Sequence, residues 1–288
     1  MPNRKEFRLT WRGHSLELGR KTLIMGVINV TPDSFSDGGH FFSKDRAIDQ
    51  ALALEADGAD IIDIGGESTR PYAEKVSLEQ ELERVVPVIE ELSKTVRVPI
   101  SIDTYKAKIA ELAIRAGASI INDISALRFD PEMAPVAGNS CVPVILMHMK
   151  GTPGNMQDNP EYSDLMGEIA DFFMEAVDRA ESEGIAREML ILDPGIGFGK
   201  SFDHNLEIIR DLRKLEAVGL PILLGSSRKA FIGNILGKSP EERDTGTMAT
   251  VAAGIMNGAH IVRVHNVKMA KDTVKVMDAV MEGKISSI

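Results

Sequence analysis

The chain has 288 residues, of which 43% are hydrophobic and 26% are charged, and its net charge is −10. This composition is typical of a globular protein, and an acidic chain without a basic tract is not expected to bind nucleic acid. The single cysteine, Cys141, excludes an intramolecular disulfide and a multi-cysteine metal site and suits the cytoplasm. Residues 1–6 lack the apolar stretch of a signal peptide, and no apolar run of about 18 residues predicts a membrane span. We therefore expect one cytoplasmic domain, residues 1–288, without nucleic-acid or membrane partners.

A recurring junction indicates a parallel α/β fold. A Gly-Ala pair opens an apolar run at residues 58–62, 117–121 and 258–262, each time after a helical pattern. The glycine suits the left-handed end of a helix, and the β-branched residues suit a buried parallel strand. Eight apolar runs predict strands, at residues 23–30, 61–66, 98–103, 119–125, 142–148, 189–194, 221–226 and 260–265.

Helical patterns separate these runs. Ser43 is the expected N-cap of the first helix, Ser77 begins the second with a capping box, and Asp203 is the expected N-cap of the helix after the sixth strand. Before the first strand, residues 7–18 alternate around a central Arg-Gly pair and predict a hairpin. Eight strand–helix units in succession predict an α/β TIM barrel, (β/α)8, with a short N-terminal β-hairpin that closes its lower end.

Polar residues lie at the C-terminal ends of the predicted strands, where active sites of this fold are built. Burial of so many polar groups is costly unless partners or a ligand satisfy them. Every predicted strand contributes at least one, so we expect a functional site at this end. The residues are Asn29, Asp63, Glu67, Asp103, Asn122, His148, Asp193, Ser226, Ser227, Arg263 and His265.

Asp103, Asn122 and Asp193 end the third, fourth and sixth predicted strands. Two carboxylates and an amide can accept adjacent N–H groups from the edge of a flat heterocycle. Any one of the three could instead cap a neighbouring helix, but that role is not expected of all three together. The set therefore predicts a site for a heterocyclic ligand.

Basic residues cluster at the last two strands. Arg263 and His265 are two residues apart on the eighth strand and therefore face the same side, and residues 227–229 (Ser-Arg-Lys) follow the seventh. Phosphate sites in such barrels are often built there. At the end of the first strand, the amide oxygen of Asn29 could coordinate Mg²⁺, which takes few protein ligands and completes its shell with phosphate oxygens and water.

Two other kinds of site are excluded. Residues 195–201 (GIGFGKS) are similar to a Walker A loop, but the spacing between Gly195 and Gly199 is one residue too short. The histidines have no HExxH-type spacing, which argues against a histidine-ligated zinc site. His148 is instead expected to support its neighbours in the site.

The strand-end motifs are long enough to compare with known families. The first two, residues 25–39 (MGVINVTPDSFSDGG) and 63–71 (DIGGESTRP), are the most specific. Shorter ones are 102–104 (IDT), 121–123 (IND), 147–149 (MHM), 193–200 (DPGIGFGK), 227–229 (SRK) and 263–265 (RVH). Together, over residues 21–283, they closely resemble the dihydropteroate synthase family. The resemblance implies condensation of 6-hydroxymethyl-7,8-dihydropterin diphosphate with 4-aminobenzoate, giving 7,8-dihydropteroate and diphosphate in folate biosynthesis.

The resemblance also implies roles for the matching residues. The pterin would be held by Asp103, Asn122, Asp193 and Lys229. The diphosphate would contact Asn29, Thr69, Arg263 and His265, with Mg²⁺ as cofactor at Asn29. The 4-aminobenzoate pocket would comprise Phe35, Arg70, Pro71, Phe198, Ser227 and Lys229, where sulfonamides would compete. The catalytic residues would be Asp37, Thr69, Arg70 and Lys229. Family members are commonly dimers, which implies a homodimer.

Two residues depart from the family pattern. Tyr72 follows the STRP motif where the family usually has glycine, which could alter the second loop or the rim of the pocket. Asn266 stands where an aspartate often follows the strand-eight histidine. If that aspartate tunes His265, its absence removes one charge beside the imidazole.

The chemistry implied by the resemblance depends on the departure of diphosphate. Cations and Mg²⁺ would stabilise the leaving oxygens, and the electron-rich pterin can delocalise positive charge at its methylene group. We therefore expect a dissociative, SN1-like substitution. The loops at residues 31–40 and 68–76, rich in Gly, Ser and Pro, would close over the charged intermediate.

Two alternative functions remain at this stage. A corrinoid-type methyltetrahydrofolate methyltransferase barrel would share the Asp/Asn pterin pocket, but it would not need the strand-eight cations or the two long loop motifs. A non-catalytic pterin-binding paralogue would be expected to have lost loop residues, and Asp37, Thr69, Arg70 and Lys229 are all present. Release of diphosphate from a pterin diphosphate would distinguish the synthase from both.

Overall fold

The computed structural model describes residues 4–30, 40–68 and 75–284, with only the backbone of residues 40–43. The N-terminal hairpin pairs strand β1 (Phe7–Trp11) with strand β2 (His14–Leu18), with Trp11 opposite His14. Arg12 and Gly13 both have positive φ, 41° and 82°, as the two central residues of a tight hairpin turn require. The predicted hairpin is therefore confirmed.

Eight parallel strands form the barrel, and all eight correspond to predicted runs. They are β3 (Leu23–Asn29), β4 (Ile61–Gly65), β5 (Ile100–Asp103), β6 (Ile120–Asp123), β7 (Val144–Met147), β8 (Leu190–Asp193), β9 (Leu223–Leu224) and β10 (Ile261–Val264). Their order is β8-β7-β6-β5-β4-β3-β10-β9. A parallel bridge between Leu192 and Ile222 joins the two end strands, so the sheet is nearly closed. The predicted TIM barrel is confirmed.

Helices follow the barrel strands. They are α1 (His40–Ala56), α2 (Leu78–Thr95), α3 (Ala107–Ala116), α4 (Met133–Ser140), α5 (Leu165–Ser182), α6 (Phe202–Asp211), α7 (Ala230–Leu236), α8 (Asp244–Met256) and α9 (Val267–Glu282). Short 3-10 turns lie at Arg187–Met189, Leu212–Val218 and Pro240–Glu242. None of the described helices combines the length and apolar character needed to cross a membrane.

The expected helix caps are only partly confirmed. Ser77 Oγ accepts the N–H of Gln80, and the Gln80 side chain accepts the N–H of Ser77, both at 3.2 Å, which is the expected capping box. The N-cap expected at Ser43 is wrong, because α1 already begins at His40. The N-cap expected at Asp203 is also wrong, because Ser201 caps α6 and Asp203 lies in its first turn, where a carboxylate interacts favourably with the helix dipole.

The recurring Gly-Ala junctions have the expected conformation. Gly58, Gly117 and Gly258 have φ values of 100°, 121° and 104°. At Gly117 a Cβ atom would lie 2.3 Å from the Cβ of Ser93, so the close approach of α2 also requires glycine.

The hairpin packs against the N-terminal ends of the barrel strands. Leu9 and Leu18 are buried in the same core as the barrel. His260, just before β10, accepts the N–H of Ile222 through Nδ1 at 3.1 Å and donates from Nε2 to the carbonyl of Lys5, also at 3.1 Å. The hairpin therefore covers the lower end of the barrel and leaves the C-terminal strand ends for the site.

Candidate active site

The strand register aligns several of the polar strand ends. Asn29 is paired with Gly65, Gly65 with Asp103, and Asp103 with Asn122, so these four residues form one row across β3 to β6. Asp193 lies two rows further along the strands, in register with Met147, and therefore faces the same side as Asn122. Side chains of paired residues in a parallel sheet point to the same face, so the row brings an amide, a carboxylate and a second amide to one side.

An arginine from β10 reaches across the barrel to two carboxylates. Nε and Nη2 of Arg263 lie 2.7 and 2.6 Å from Oδ2 of Asp63, and Nη2 also lies 2.6 Å from Oδ2 of Asp103. Asp63 is completely buried. Within the described part of the chain, Nη1 of Arg263 donates to no acceptor, so this nitrogen can bind a further anion.

Asp63 also orients the neighbouring amide. Nδ2 of Asn122 donates to Oδ2 of Asp63 at 3.2 Å. A carboxylate can only accept from this amide, so the oxygen of Asn122 is the atom that remains for a ligand. Sequence reasoning recognised Asp63 as a strand-end polar residue but gave it no role.

Burial controls the ionisation of these groups. It raises the pKa of Asp103 to about 7, with Arg263 acting in the opposite direction and Asp63 adding to the rise. Burial also raises the pKa of Asp193, although the N–H of Gly195 donates to its Oδ1 at 2.8 Å. For Arg263, burial lowers the pKa, but Asp63 and Asp103 outweigh it, and the pKa stays above its usual value. The guanidinium is therefore always charged.

The residues after β9 and β10 contact each other. Oγ of Ser227 accepts the backbone N–H of His265 at 3.2 Å and lies 2.9 Å from its Nδ1. Burial, with the charges of Arg263 and its basic neighbours, lowers the pKa of His265 to about 4. The imidazole is therefore neutral at pH 7. When the Ser227 hydroxyl donates to Nδ1, the ring proton is on Nε2.

The phenyl ring of Phe198 and the amino group of Lys229 lie against each other in this site. Nζ of Lys229, from the loop after β9, lies 4.2 Å from the centre of the Phe198 ring. Phe198 packs beside the buried side chains of Ile124, Met147 and Met149. A flat apolar surface with a cation above it suits an aromatic ligand that carries a negative charge.

Comparison with known proteins identifies the family. The model of the family described as pterin binding enzyme matches residues 25–265. The dihydropteroate synthase of Synechocystis is 50% identical over 262 residues, which is 91% of each chain. This chain belongs to the dihydropteroate synthases. It is therefore a transferase of folate biosynthesis, as the motifs predicted.

Solved dihydropteroate synthases have the same fold. The enzyme of Yersinia pestis, in complex with a sulfonamide drug, superimposes with a TM-score of 0.91 at 44% identity and covers 96% of this chain and all of its own. The enzyme of Xanthomonas albilineans, with 4-aminobenzoic acid, gives 0.90 at 42% identity and covers 96% of this chain and 99% of its own. The family assignment favours the synthase over the methyltransferase alternative.

Several family-site residues lie outside the described residues. These are Phe35 and Asp37 in the first loop and Thr69, Arg70 and Pro71 in the second, together with the unusual Tyr72. Their roles, and the expected closing of the two loops, remain predictions. The described residues that flank the second segment are joined, because Val76 N–H donates to Glu67 at 3.3 Å and Lys106 Nζ donates to both the Glu67 carboxylate and the Val76 carbonyl.

The unusual Asn266 has a clear structural place. Its side chain caps α9 by accepting the N–H of Met269, and its Nδ2 donates to Asp244 at 2.8 Å. Asp244 also pairs with Arg228 through both guanidinium nitrogens Nε and Nη2. The Asp244 carboxylate works to raise the pKa of His265. A negative charge is thus retained near the imidazole although Asn266 is neutral.

Sequence reasoning missed the partner of His148. Nδ1 of His148 lies 2.8 Å from Nζ of Lys200, a lysine that is almost completely buried. Burial, with the nearby Lys200, lowers the pKa of His148 to about 2, so the ring is neutral. The GFGK segment resembles a Walker A loop and belongs to a family motif, but nothing in its spacing indicates that its lysine turns inward.

Proposed function

We propose that this chain, as a single (β/α)8 domain, condenses 6-hydroxymethyl-7,8-dihydropterin diphosphate with 4-aminobenzoate. One observation supports this substrate pair: hydrogen-bond acceptors lie on one side of the site and cations on the other. Asp103, Asn122 and Asp193 offer oxygens, while Arg263 and Lys229 offer positive charge. A ligand that combines a hydrogen-bond-donating heterocycle with a diphosphate satisfies both halves.

The pterin edge is matched by the acceptors. The free oxygen of Asn122 and the carboxylates of Asp103 and Asp193 accept N–H groups of the ring, and Lys229 donates to its carbonyl oxygen. Carboxylate acceptors form the stronger, charge-assisted bonds. Arg263 keeps one side of the Asp103 carboxylate occupied, which directs its remaining lone pairs towards the ligand.

The diphosphate is placed beside Arg263 and His265, with Asn29 and Thr69 as further contacts. Nη1 of Arg263 supplies two N–H groups, and the neutral His265 supplies its Nε2 proton. Because Asp63 and Asp103 already hold the other guanidinium nitrogens, the Arg263 side chain is fixed before substrate arrives. A preorganised donor loses less entropy on binding than a mobile one.

Asn29 fits a role as the single protein ligand of Mg²⁺. Asn29 is half-buried at the end of β3, and its neighbour in the row, Gly65, has no side chain. Among the described residues, no three His, Cys, Asp or Glu side chains form a metal-binding group, so the remaining ligands would be diphosphate oxygens and water. When bound, the ion would supply positive charge at the leaving group.

Substituting Asn29→Ala should raise the Mg²⁺ concentration needed for half-maximal activity, and an unchanged value would contradict this role.

The substitution at the pterin methylene group is dissociative. The C–O bond breaks first, and its electron pair leaves with diphosphate, where Arg263 and His265 stabilise the developing negative charge. The pterin ring delocalises the positive charge left on the methylene carbon. The nitrogen lone pair of 4-aminobenzoate then forms the C–N bond, and the amine releases one proton. A neutral arylamine needs no strong base, which is consistent with a site built from acceptors and cations.

The amine substrate occupies the pocket beside Phe198. We assign its walls to Phe35, Pro71, Phe198 and Ser227, with Arg70 and Lys229 close to its charged and reacting ends, and Asp37, Thr69, Arg70 and Lys229 as the catalytic residues. The relatives solved with 4-aminobenzoic acid and with a sulfonamide drug support this pocket. Sulfonamides should therefore compete with 4-aminobenzoate.

Release of diphosphate tests both the activity and its mechanism. Purified protein, pterin diphosphate and Mg²⁺ are mixed in a single turnover, with and without 4-aminobenzoate. The proposed function requires dihydropteroate when both substrates are present. The dissociative path additionally requires enzyme-bound diphosphate without the amine, so cleavage that depends strictly on the amine would leave the activity intact and overturn the path.

The exposed apolar residues of the last three helices suggest a homodimer. Met269, Val276 and Val280 lie seven and four residues apart on α9, which places them along one stripe, and Val276 is 62% exposed. Ile235 and Leu236 of α7 are also exposed. We expect light scattering to give the mass of two chains for the wild type and of one chain for Val276→Asp.

The lone cysteine fits a reducing, cytoplasmic location.

A further inference from the structure

The loop after β8 contains a buried lysine to which the proposed reaction assigns no role. Lys200 is 2% exposed, and its Nζ lies 2.8 Å from Nδ1 of His148, 2.9 Å from the carbonyl oxygen of Phe198 and 3.3 Å from the carbonyl oxygen of His148. Nζ thus lies within hydrogen-bond distance of three polar atoms. The lysine joins the end of β7 to the residue whose ring forms the wall of the amine pocket.

The path of this loop depends on three glycines. Gly195, Gly197 and Gly199 all have positive φ, at 68°, 83° and 64°. A Cβ atom on Gly195 would lie 2.0 Å from the carbonyl oxygen of His148, so the loop is pressed against the end of β7. Three glycines give the loop this path, but they cannot hold it there, because glycine is also the most flexible residue.

Side chains from outside the loop hold the glycines. Nε2 of Gln157 donates to the carbonyl of Gly197, the hydroxyl of Tyr162 donates to the carbonyl of Gly199, both at 2.7 Å, and Oδ1 of Asn205 accepts the Gly197 N–H at 2.6 Å. Between these two glycines, Nζ of Lys200 donates to the carbonyl of Phe198 at 2.9 Å. At the side chain of Phe198, Nζ of Lys229 lies 4.2 Å from the ring centre.

Burial of an ammonium is costly, and an apolar side chain of similar size would fill the space without that cost. Burial lowers the pKa of Lys200 well below that of a free lysine, and the Asp193 carboxylate works in the opposite direction. An amino group with three directed contacts specifies a position in a way that an apolar side chain does not. Its retention inside the barrel wall therefore points to positioning of the loop.

We propose that Lys200 is a positioning residue that fixes Phe198 beneath Lys229 and thereby sets the affinity for the amine substrate. The consequence for 4-aminobenzoate rests on the proposed function, whereas the fixing of the loop does not. Lys200 itself does not touch the substrate. Its contacts are His148 and the backbone of the loop.

The test compares Lys200→Met, which keeps the length of the side chain, with Lys214→Met, which removes an exposed lysine paired with Asp211. Hydrogen–deuterium exchange of the peptide that spans residues 195–205 should become faster in Lys200→Met only. The KM for 4-aminobenzoate should rise about 10- to 100-fold, the effect of a small displacement of a positioning group, while the KM for pterin diphosphate changes much less. Unchanged exchange, or equal increases in both KM values, would overturn the proposal.

A second pair of variants covers the case in which Lys200→Met does not fold. His148→Asn keeps an oxygen acceptor near the position of Nδ1, so the loop should exchange more slowly in it than in His148→Leu, which should reproduce the exchange of Lys200→Met. If both behave alike, the proposal is wrong. A wild-type protein that makes no dihydropteroate would contradict the proposed function, and the exchange measurement would still decide whether Lys200 fixes the loop.

Discussion

Oδ2 of Asp63 lies between two nitrogens of Arg263, 2.7 Å from Nε and 2.6 Å from Nη2, inside the barrel and out of contact with solvent. The two residues are 200 positions apart in the chain. Asp63 therefore acts on the site indirectly. It fixes the guanidinium that is proposed to bind diphosphate and the amide of Asn122 that is proposed to bind the pterin.

Substituting Asp63→Asn should destabilise the protein and weaken substrate binding together. Arg263, whose side chain is 22% exposed, would lose one of two carboxylate partners, and breaking its pair with a fully buried carboxylate costs about 3 kcal/mol of the free energy of unfolding. Urea unfolding measures this loss. Asp272→Asn, at an exposed position on α9, is the matched control and should change the free energy by less than about 0.5 kcal/mol. Equal effects in the two variants would show that the pair is not important for stability.

The affinity for a pterin should fall as the pH is lowered through 7. The pKa of Asp103 is raised to about 7, and only its carboxylate form accepts two N–H groups. Protonation between pH 8 and pH 6 should therefore weaken the binding of 6-hydroxymethyl-7,8-dihydropterin by about tenfold, as the ionised fraction falls by that factor. Calorimetric titrations at several pH values measure this slope. Asp103→Asn should bind more weakly at pH 8 and lose most of the slope. The same slope in both proteins would assign it to another group.

Removal of the Lys229 amine should abolish condensation without unfolding the chain. Lys229 is only half-buried, and its contact with the Phe198 ring contributes about 1 kcal/mol, so the fold should tolerate the change. For Lys229→Ala we expect a fall in kcat/KM of about 100- to 1000-fold, comparable to the loss of one preorganised electrostatic group. Dihydropteroate formation and urea unfolding are measured on the same preparation. A variant with near wild-type turnover would exclude Lys229 from the catalytic residues.

Acid should destabilise the fold through His260. Burial lowers the pKa of this histidine from 6.5 to about 4, so between these values the unfolded chain binds more protons than the folded one, and stability falls as the pH falls. The full shift corresponds to about 3 kcal/mol. Urea unfolding between pH 7.5 and pH 4.5 should give a steeper loss for the wild type than for His260→Gln, which cannot titrate. Parallel curves would show that His260 does not contribute.

The barrel strands and the hairpin could be predicted because their signals are local. Each strand is a short apolar run bounded by turn residues, and the Gly-Ala junctions mark where helices end. Helices α4 and α7 could not be predicted in this way. α4 contains Pro135 and Gly138, and a Cβ on Gly138 would lie 2.2 Å from the carbonyl oxygen of Glu183. Both helices are short, and they form because Met133 and Phe231 are buried in the core, so packing outweighs weak intrinsic propensity.

The fold class, the family and the end of the barrel that carries the site could be predicted from the sequence, because they depend on residue types at strand ends and on contiguous motifs. Three contacts are evident only in the folded chain: Asp63 with Arg263, Ser227 with His265, and the inward-turned Lys200 with His148. Each of these pairs joins distant positions across the barrel wall. These hydrogen bonds depend on strand register and on burial, which raises the cost of leaving a polar group unpaired. Neither register nor burial can be predicted from a short stretch of the chain.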